Sequence, residues 1–325
     1  MKLSIVICTH NRRALLARAL GFINSARRPA DWTVDLVVIA NACSDDTMAW
    51  LSDYDRIFPD GLTLTFEDEP TPGKSHALNR ALACVDADVV VFVDDDHRVA
   101  PEWLEAVTGA AEAHSDILCF CGRILPDWEG TEPGWVHDDG PYRIRPYPVP
   151  RFDLGATPCL ITIDGFLPGG GNLFFRRALL DVVGGFDPSL GPRGHNLAGG
   201  EDVAFVVRVL SAGLAIRYVP GALQYHYVDP DRLTWRYIVR KGYQRSRDLR
   251  CSTPAPCGRQ VGGVPVYLLP QLLVQLWRAA ATLDTDRRRH FCVRSAVTLG
   301  EIHGYRRARK ATARGGNGDL VKGRS

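Results

Sequence analysis

Short apolar runs alternate with helical patterns through the first hundred residues of the chain. The apolar runs predict four strands, at Leu3–Cys8, Val34–Ala40, Leu62–Phe66 and Val89–Val93. Helical spacing predicts helices between them, for example at Arg13–Asn24 and Ser75–Ala83. Because these strands are apolar throughout, we expect both faces of the sheet to be buried, as in a parallel sheet covered by helices. The pattern therefore predicts an α/β fold with an open sheet or half-barrel.

The pattern changes further along the chain. Trp128–Pro168 has no clear period, which is typical of an irregular connection or a pocket-lining insertion. Helix and strand patterns resume at Arg176–Val183, Glu201–Ser211 and Ala215–Tyr218. The chain then becomes arginine-rich, with predicted helices at Trp235–Arg250, Gln271–Ala281 and Arg294–Lys310. We expect a first domain over residues 1–228, a helical basic region over residues 229–310 and a disordered tail over residues 311–325.

The composition is that of a globular protein with an uneven distribution of charge. The 325 residues are 46% hydrophobic and 23% charged with a net charge of +2, which excludes a disordered, collagenous or coiled-coil chain. Residues 1–225 hold 19 basic and 30 acidic side chains, whereas residues 226–325 hold 20 and 7. A basic segment of this kind is typical of contact with phosphates, nucleic acid or an anionic membrane surface.

The spacing of the cysteines and the length of the apolar runs indicate where in the cell the protein is located. The nine cysteines are an odd number without zinc-site spacing, so we predict reduced thiols and a cytoplasmic protein. A membrane span needs about 18 apolar residues, and no run in the chain reaches that length. The nearest, Val264–Trp277, contains two prolines, so we expect it at most to lie along a membrane.

Polar residues directly follow each of the four predicted strands. The clusters are Thr9–Arg12, Asn41–Asp46, Glu67–Glu69 and Asp94–His97. Because the ligand crevice of an open parallel sheet lies at the carboxyl ends of its strands, we expect all four clusters to face one crevice.

Three adjacent carboxylates, Asp94, Asp95 and Asp96, end the fourth strand. They repel one another, and a hard divalent cation would relieve that repulsion. Oxygen ligands of this kind suit Mg²⁺ or Mn²⁺, which commonly also bind substrate phosphates. In a simpler interpretation one Asp caps the helix that opens at Pro101 and the others are solvated. That interpretation accounts for one carboxylate of the three, so the triplet favours a metal site.

Four further features allow both a functional and a structural interpretation. Glu201 and Asp202 open a predicted helix, where the helix dipole or a general-base role would explain them. Lys74 begins a helix after a Pro-Gly turn and could bind an anion, although an exposed lysine is the simpler explanation. Gly169–Asn172 could let the backbone approach a ligand closely, and His226 taken alone is better explained by packing.

Taken in order, seven segments resemble the inverting nucleotide-sugar glycosyltransferases of family 2. The segments are Ser4–Arg12, Asn41–Thr47, Gly73–Asn79, Asp94–Asp96, Gly170–Asn172, Gly184–Asp187 and Gly200–Asp202. The resemblance implies a Rossmann-like GT-A fold, with a mostly parallel central sheet flanked by helices and a helical basic C-terminal extension. It also implies a nucleotide-sugar-binding half at residues 1–125 and an acceptor-binding half at residues 126–228.

The resemblance further implies roles for individual residues. The donor-binding residues would be Thr9, Asn11, Arg12, Asn41, Lys74, Asp94 and Asp95. Mn²⁺ or Mg²⁺ would be held by the family's Asp-x-Asp motif and a distal histidine, here Asp96, Asp94 and His226. The catalytic base would be Asp202, with Glu201 as the second candidate. The acceptor-binding residues would be Gly170, Gly171, Asn172 and Trp128.

The implied reaction is a metal-dependent, inverting sugar transfer from a nucleoside-diphosphate sugar, with a UDP-sugar favoured. The acceptor would be a hydroxyl of a saccharide or a lipid-linked molecule in polysaccharide or glycoconjugate synthesis. The chain departs from the family at Ala40–Cys43, where a carboxylate near the nucleobase is missing, so the nucleobase stays open. Three roles stay open for the basic region: closing over the diphosphate, docking on the inner face of an anionic membrane, and a solvated surface that binds nothing.

Other classes of protein fit part of the pattern. A nucleotidyltransferase or another metal-dependent phosphoryl-transfer enzyme would also use paired Asp residues and a Lys. A non-catalytic sugar-nucleotide-binding protein would be expected to lack the Asp triplet or Asp202, and both are present. We expect no nucleic-acid partner, because the first 225 residues are net acidic and contain no recognisable nucleic-acid-binding motif.

Overall fold

The predicted apolar runs form the strands of a mixed central sheet. The computed structural model describes residues 1–192, 200–252 and 258–315. These residues fall into two units: the first comprises Met1–Asp127 and Pro150–Tyr227, and the second comprises Trp128–Val149 and the chain from Val228 onward. The first unit confirms the α/β fold class.

The first unit contains the whole sheet and seven of the helices described. Its strands are β1 Lys2–Thr9, β2 Thr33–Asn41, β3 Thr63–Glu69, β4 Val89–Phe92, β5 His97–Val99, β6 Cys119–Asp127, β7 Cys159–Leu160, β8 Leu173–Arg176 and β9 Ile216–Tyr227. Its helices are α1 Arg13–Ser25, α2 Thr47–Ser52, α3 Tyr54–Ile57, α4 Lys74–Cys84, α5 Trp103–Ala113, α6 Leu179–Val183 and α7 Glu201–Ser211. A short 3₁₀ turn at Gly170–Asn172 precedes β8.

The strand order is β3-β2-β1-β4-β8-β6-β9-β5, with β7 paired to β9. Strands β1 to β4 are parallel, as predicted, so their carboxyl ends share one edge of the sheet. Strand β8 runs antiparallel between β4 and β6, so the mostly parallel sheet also contains short antiparallel pairs. Strand β9 is parallel to β6 and antiparallel to β5, and it is much longer than the predicted Ala215–Tyr218.

Both faces of the sheet are covered by amphipathic helices. Side chains of α1 and α5, such as Leu20 and Trp103, pack on one face. Side chains of α4 and α7, such as Leu78 and Phe205, pack on the other. This double burial explains why the strands are apolar at consecutive positions.

The second unit is built from three long helices. They are α8 Trp235–Ser252, α9 Leu268–Ala281 and α10 Thr285–Gly315, with a small hairpin of β10 Gln260–Val261 and β11 Val264–Pro265. Short 3₁₀ turns lie at Gly134–His137 and Pro230–Leu233. Helix α10 begins nine residues before the predicted Arg294 and continues to Gly315, so the first five residues of the predicted disordered tail are helical. Residues 316–325 lie outside the described residues.

The segment Trp128–Val149 joins the second unit rather than the first, unlike the predicted boundary at residue 228. The physical reason is apolar packing within this unit, where buried Ile144 shares a cluster with Ile238 and Val293. An irregular segment can be held in this way without any helical or strand period of its own, so the sequence pattern did not reveal its partner.

The basic residues of α8 are only partly exposed to solvent. Arg236, Arg240 and Arg245 are exposed. Arg250 instead pairs with Glu301 of α10 at 2.8 Å, and Lys241 donates to the carbonyl of Pro148 at 2.8 Å. Burial and nearby arginines lower the pKa of Lys241 to about 8. Several of the basic residues therefore hold the unit together. No helix among the described residues is both long and apolar enough to cross a membrane.

We predict that the contact between α7 and the sheet is essential for stability. Phe205 is fully buried, and its ring stacks on Phe186 with centroids 4.7 Å apart. Phe205→Ala should lower the free energy of unfolding by about 3–5 kcal/mol, because it removes an aromatic side chain and leaves a cavity. Chemical denaturation measures this change.

Val203 on the same helix provides the matched control, since its side chain is 40% exposed. Val203→Ala should change the unfolding free energy by no more than about 0.5 kcal/mol. Equal effects of the two substitutions would contradict the proposed packing of α7.

Candidate active site

The carboxyl ends of β1 and β4 open into a pocket that also reaches the start of α7. Its polar lining consists of Lys74, Asp94, Glu201 and Asp202, with the backbone of Gly170 beside them. The sequence analysis assigned these residues to different motifs, and the fold brings them together.

Asp94 forms an ion pair with Lys74 across this pocket. The Lys74 Nζ and Asp94 Oδ1 atoms are 2.7 Å apart. Burial opposes the charge on both groups, but their mutual attraction raises the pKa of Lys74 and lowers the pKa of Asp94 well below its usual range. The turn before Lys74 depends on Gly73, whose φ of 146° strongly favours glycine.

Asp95 points toward β1 and lies in a buried polar contact. Its carboxylate accepts hydrogen bonds from the Thr9 hydroxyl at 2.7 Å and from Arg12 at 3.1 Å. Burial and the neighbouring Asp96 raise the pKa of Asp95 to about 6, although Arg12 and Thr9 oppose the shift. Thr9, Arg12 and Asp95 are thus joined in one network.

Asp96 faces two histidines. Strands β5 and β9 pair so that His97 lies directly opposite His226, with ring centroids 5.0 Å apart. The Asp96 carboxylate lies 3.9 Å from His97 Nε2 and 3.7 Å from His226 Nε2. One ligand atom from each of the three side chains can be chosen so that all lie within 4.8 Å of one another. Burial opposes the charge of Asp96, but the two histidines favour it and its pKa is lowered.

The glycines of the 169–171 segment pass between Asp202 and the Asp94–His97 cluster. A Cβ atom at Gly171 would lie 2.5 Å from Asp94 Oδ2 and 2.7 Å from the His97 ring. The Gly170 N–H donates to Asp202 Oδ2 at 2.8 Å. The backbone therefore touches Asp202 at one residue and the Asp94–His97 cluster at the next.

Asp202 and Glu201 differ in accessibility. Both Asp202 oxygens accept backbone N–H groups, from Gly170 and Val203, which orients the carboxylate while its side chain stays partly exposed. Glu201 is only 3% exposed, and its buried Oε2 has no hydrogen-bond partner among the described residues. Burial raises the pKa of Glu201. The geometry thus favours Asp202 as the group that can reach a substrate.

Two predicted donor-binding residues hold the loops of the crevice. The Asn41 side chain donates to the carbonyls of Glu69 and Thr71 at 3.0 and 2.8 Å, and it accepts from the Gly73 N–H at 2.9 Å. Asn11 has a φ of 52°, and its side-chain oxygen accepts from the Ser44 N–H at 2.6 Å. Both residues shape the crevice through these internal bonds.

Two predicted acceptor-binding residues lie elsewhere. Asn172 is 1% exposed, and its amide is hydrogen-bonded on both sides in the interior, so it supports the site from behind. Trp128 belongs to the second unit, where its ring packs edge-on against His137. Burial of an amide and packing of an indole depend on distant residues, and the sequence pattern contained no signal for either.

The sequence pattern predicts His97 at the crevice, as part of the Asp94–His97 cluster, but assigns neither His97 nor Gln224 a role of its own. His97 directly follows the Asp triplet, and that adjacency was the available signal. Gln224 lies in β9, and its side chain reaches His97 Nδ1 at 2.6 Å. No local sequence pattern identifies Gln224, because its contact with His97 depends on the pairing of strands 127 residues apart.

Comparison with known proteins identifies the family. The sequence model described as Glycosyl transferase family 2 matches residues 4–183, more than half of the chain. The chain belongs to glycosyltransferase family 2. The match includes the strand-end clusters, Lys74 and the Asp triplet of the site described above, and it ends before α7. The protein is therefore a glycosyltransferase.

One relative of this glycosyltransferase is similar over most of its length. The chain is 22% identical over 247 residues to a glucosyl-dolichyl phosphate glucuronosyltransferase of Haloferax volcanii, covering 75% of this chain and 74% of the relative.

Solved structures confirm the GT-A fold. A mannosyltransferase of Pyrobaculum calidifontis in complex with GDP-Man and Mn²⁺ superimposes with a TM-score of 0.51 and 20% identity, covering 98% of this chain and 81% of the other. Residues 1–349 of TarS from S. aureus in complex with UDP give a TM-score of 0.51 and 17% identity, covering 97% and 92%.

The side chains beside Asp96 fit a divalent cation. His97 Nε2 is a buried nitrogen with no hydrogen-bond partner among the described residues, and it faces carboxylate oxygens. Imidazole nitrogen and carboxylate oxygen are the donor atoms that transition-metal ions accept in proteins. Asp96, His97 and His226 are thus the residues that would hold the ion, while one Asp94 oxygen is already paired with Lys74.

We predict that Gly171→Ala disrupts this cluster. The added methyl group would overlap Asp94 and the His97 ring, so both side chains must move. The expected result is Mn²⁺ affinity weakened by about tenfold or more, measured by titration of the ion. Gly109→Ala is the control, because its Cβ would meet no atom within 4 Å. Unchanged affinity in the Gly171 variant would contradict the location of the site.

Proposed function

We propose that this glycosyltransferase transfers a sugar, with inversion, from a nucleoside-diphosphate sugar to an acceptor hydroxyl, and that it requires Mn²⁺ or Mg²⁺. The observation that carries the proposal is the contact of Gly170 with Asp202 and of Gly171 with the Asp94–His97 cluster. The general base and the cation cluster are thus joined by two adjacent residues, as transfer of a sugar from a diphosphate requires both groups at one site.

The donor side of the pocket is built to receive negative charge. Asp96, His97 and His226 would hold the ion, which when bound supplies Lewis-acid stabilisation of the departing diphosphate. Lys74 keeps a positive charge within the pocket, because Asp94 and neighbouring acids raise its pKa. Once a diphosphate is present, this ammonium can shift toward its oxygens and stabilise the charge that develops there.

The acceptor side of the pocket carries the base. Asp202 accepts two backbone N–H groups, which fix the direction of its carboxylate. Its carboxylate would take the proton from the acceptor hydroxyl as the oxygen attacks the sugar C1 carbon. Attack from the face opposite the diphosphate forms the new C–O bond as the old one breaks, which inverts the configuration.

For the substrates, we propose a UDP-sugar donor and a saccharide or lipid-linked acceptor. The relative named for glucosyl-dolichyl phosphate supports a lipid-linked acceptor, and with it a role in polysaccharide or glycoconjugate synthesis. The neighbouring structures with GDP-Man and with UDP support a nucleoside-diphosphate donor without selecting one base.

We predict that Asp202→Asn abolishes most turnover while sparing donor binding. Loss of the general base should lower the rate by about 10²- to 10⁴-fold. The affinity for UDP in the presence of Mn²⁺, measured by calorimetry, should stay close to that of the natural protein. The reason is that Asp202 does not belong to the cation cluster. The readout is nucleoside diphosphate released, with NMR of the product to show the inverted linkage.

Asp181→Asn on α6 is the matched control, since Asp181 is exposed and outside the pocket. Full activity of the Asp202 variant would overturn the assignment of the base. Release of pyrophosphate would instead identify a nucleotidyltransferase, and donor binding with no transfer to any acceptor would identify a non-catalytic sugar-nucleotide-binding protein.

We further propose that α9 lies on the cytoplasmic face of an anionic membrane. Leu269, Leu273, Leu276 and Trp277 share one face of α9 and are 49–68% exposed. No acidic residue occurs between Gly258 and Leu283. Arg259 and Arg278 are exposed in this segment, and Arg309 of α10 lies against the tip of the β10–β11 hairpin. An apolar face with basic neighbours fits the interfacial region of an anionic bilayer.

This surface predicts co-sedimentation of the full chain with vesicles of phosphatidylglycerol and phosphatidylcholine. Leu273→Glu and Trp277→Glu should each weaken vesicle binding by about tenfold or more, because a carboxylate would enter the apolar layer beside anionic lipid. Val182→Glu is the control, since Val182 is an exposed apolar residue of α6. Equal sedimentation of all variants would argue against this surface.

A further inference from the structure

A buried chain of hydrogen bonds leads from Trp103 in α5 to His97 beside the Asp triplet. This hydrogen-bond chain begins at the Trp103 indole, which donates to Asn172 Oδ1 at 3.2 Å. An indole N–H can only donate, so the atom of Asn172 that faces it must be the oxygen.

The other side of Asn172 gives the same orientation independently. Its Nδ2 group donates to the carbonyls of Ala222 and Arg123 at 2.7 and 3.0 Å. Backbone carbonyls can only accept, so this end of the amide must be the NH₂ group. The orientation of Asn172 therefore follows from its partners and not from a choice between two similar atoms.

Asn172 in turn fixes Gln224. The Gln224 Nε2 group donates to Asn172 Oδ1 at 2.9 Å and to the Phe92 carbonyl at 3.3 Å. Because both partners are acceptors, the Gln224 oxygen must be the atom that faces His97 Nδ1 at 2.6 Å. An oxygen without a hydrogen can only accept, so His97 must donate from Nδ1.

The consequence appears at the other ring nitrogen. A neutral imidazole that carries its hydrogen on Nδ1 presents a lone pair at Nε2. His97 Nε2 is buried and without a hydrogen-bond partner among the described residues, and it lies 3.8 Å from Asp94 Oδ2 and 3.9 Å from Asp96 Oδ1. A lone pair that faces carboxylate oxygens is unfavourable unless a cation lies between them.

We infer that His97 Nε2 is a ligand of the divalent cation and that Gln224, Asn172 and Trp103 are positioning residues that fix its tautomer. This inference rests on the proposed use of a divalent cation. The Nδ1 hydrogen is held by a carboxamide oxygen rather than by a carboxylate, so the ring is oriented without any further negative charge. A hydrogen-bond chain with a purely structural role would end on a hydrogen-bond partner, whereas this one ends on a buried ring nitrogen that has no such partner among the described residues and faces Asp94 and Asp96.

The first test uses the natural chain and needs no variant. Nitrogen-15 NMR of the metal-free protein, with histidines assigned, reports which ring nitrogen of His97 carries hydrogen. The expected result is hydrogen on Nδ1 only, with a shift of the Nε2 resonance or its loss by broadening when Mn²⁺ is added. Hydrogen on Nε2, alone or together with Nδ1, would overturn the inference.

The second test measures Mn²⁺ affinity directly by electron paramagnetic resonance, with UDP present. Gln224→Met should weaken Mn²⁺ binding by about 10- to 100-fold, the usual effect of removing the partner of a ligating histidine. His97→Phe keeps a ring of similar shape without the lone pair and should weaken binding at least as much, so the test does not depend on one variant folding.

Gln275→Met is the matched control, because Gln275 is a buried glutamine of the second unit that accepts from Thr298. It should bind Mn²⁺ like the natural protein. If both site variants equal this control, His97 is not a ligand and the inference alone fails. If the natural protein binds no Mn²⁺, the proposed metal dependence and this inference both fail.

Discussion

The structure depends on the repulsion among three carboxylates held at the end of a buried strand. Buried carboxylates are costly unless each has a partner, and the chain supplies partners for all three, with Arg12 shared by two of them. Asp94 pairs with Lys74, and Asp95 contacts Thr9 and Arg12. Asp96 pairs with Arg12 and faces two histidines. These partners come from distant segments, so the triplet determines which parts of the fold must meet at the crevice.

The elements that could be predicted from the sequence are those whose signal is local. Consecutive apolar residues identified β1, β2 and β4, and the first acidic turn placed the start of α7 correctly at Glu201. The residues after each parallel strand were expected in one crevice because parallel strands share an edge. The same reasoning failed for β8 and the long β9, which depend on antiparallel and distant pairing.

The residues of the candidate active site could likewise be predicted only where they carry a local signal. The Asp triplet carries a local signal, whereas the position of His97 against His226 follows only from the register of β5 on β9. Asn172 shows the limit of motif reasoning, since its segment was located correctly but its side chain points into the interior. In the second unit, the arginine-rich pattern of α8 indicated charge but could not show that Arg250 and Lys241 are used for internal contacts.

The direction of the buried hydrogen bonds links folding to function in the first unit. An indole and three backbone carbonyls leave the amides of Asn172 and Gln224 one orientation each, so the unsatisfied atom at the end of this hydrogen-bond chain is His97 Nε2. A folded protein keeps the cost of such an atom only where the surrounding packing fixes it. The packing of Trp103 and the strands around Asn172 does so. Binding of a cation there would remove the cost and thereby stabilise the fold, which would couple metal binding to the stability of the sheet edge at which β4 ends.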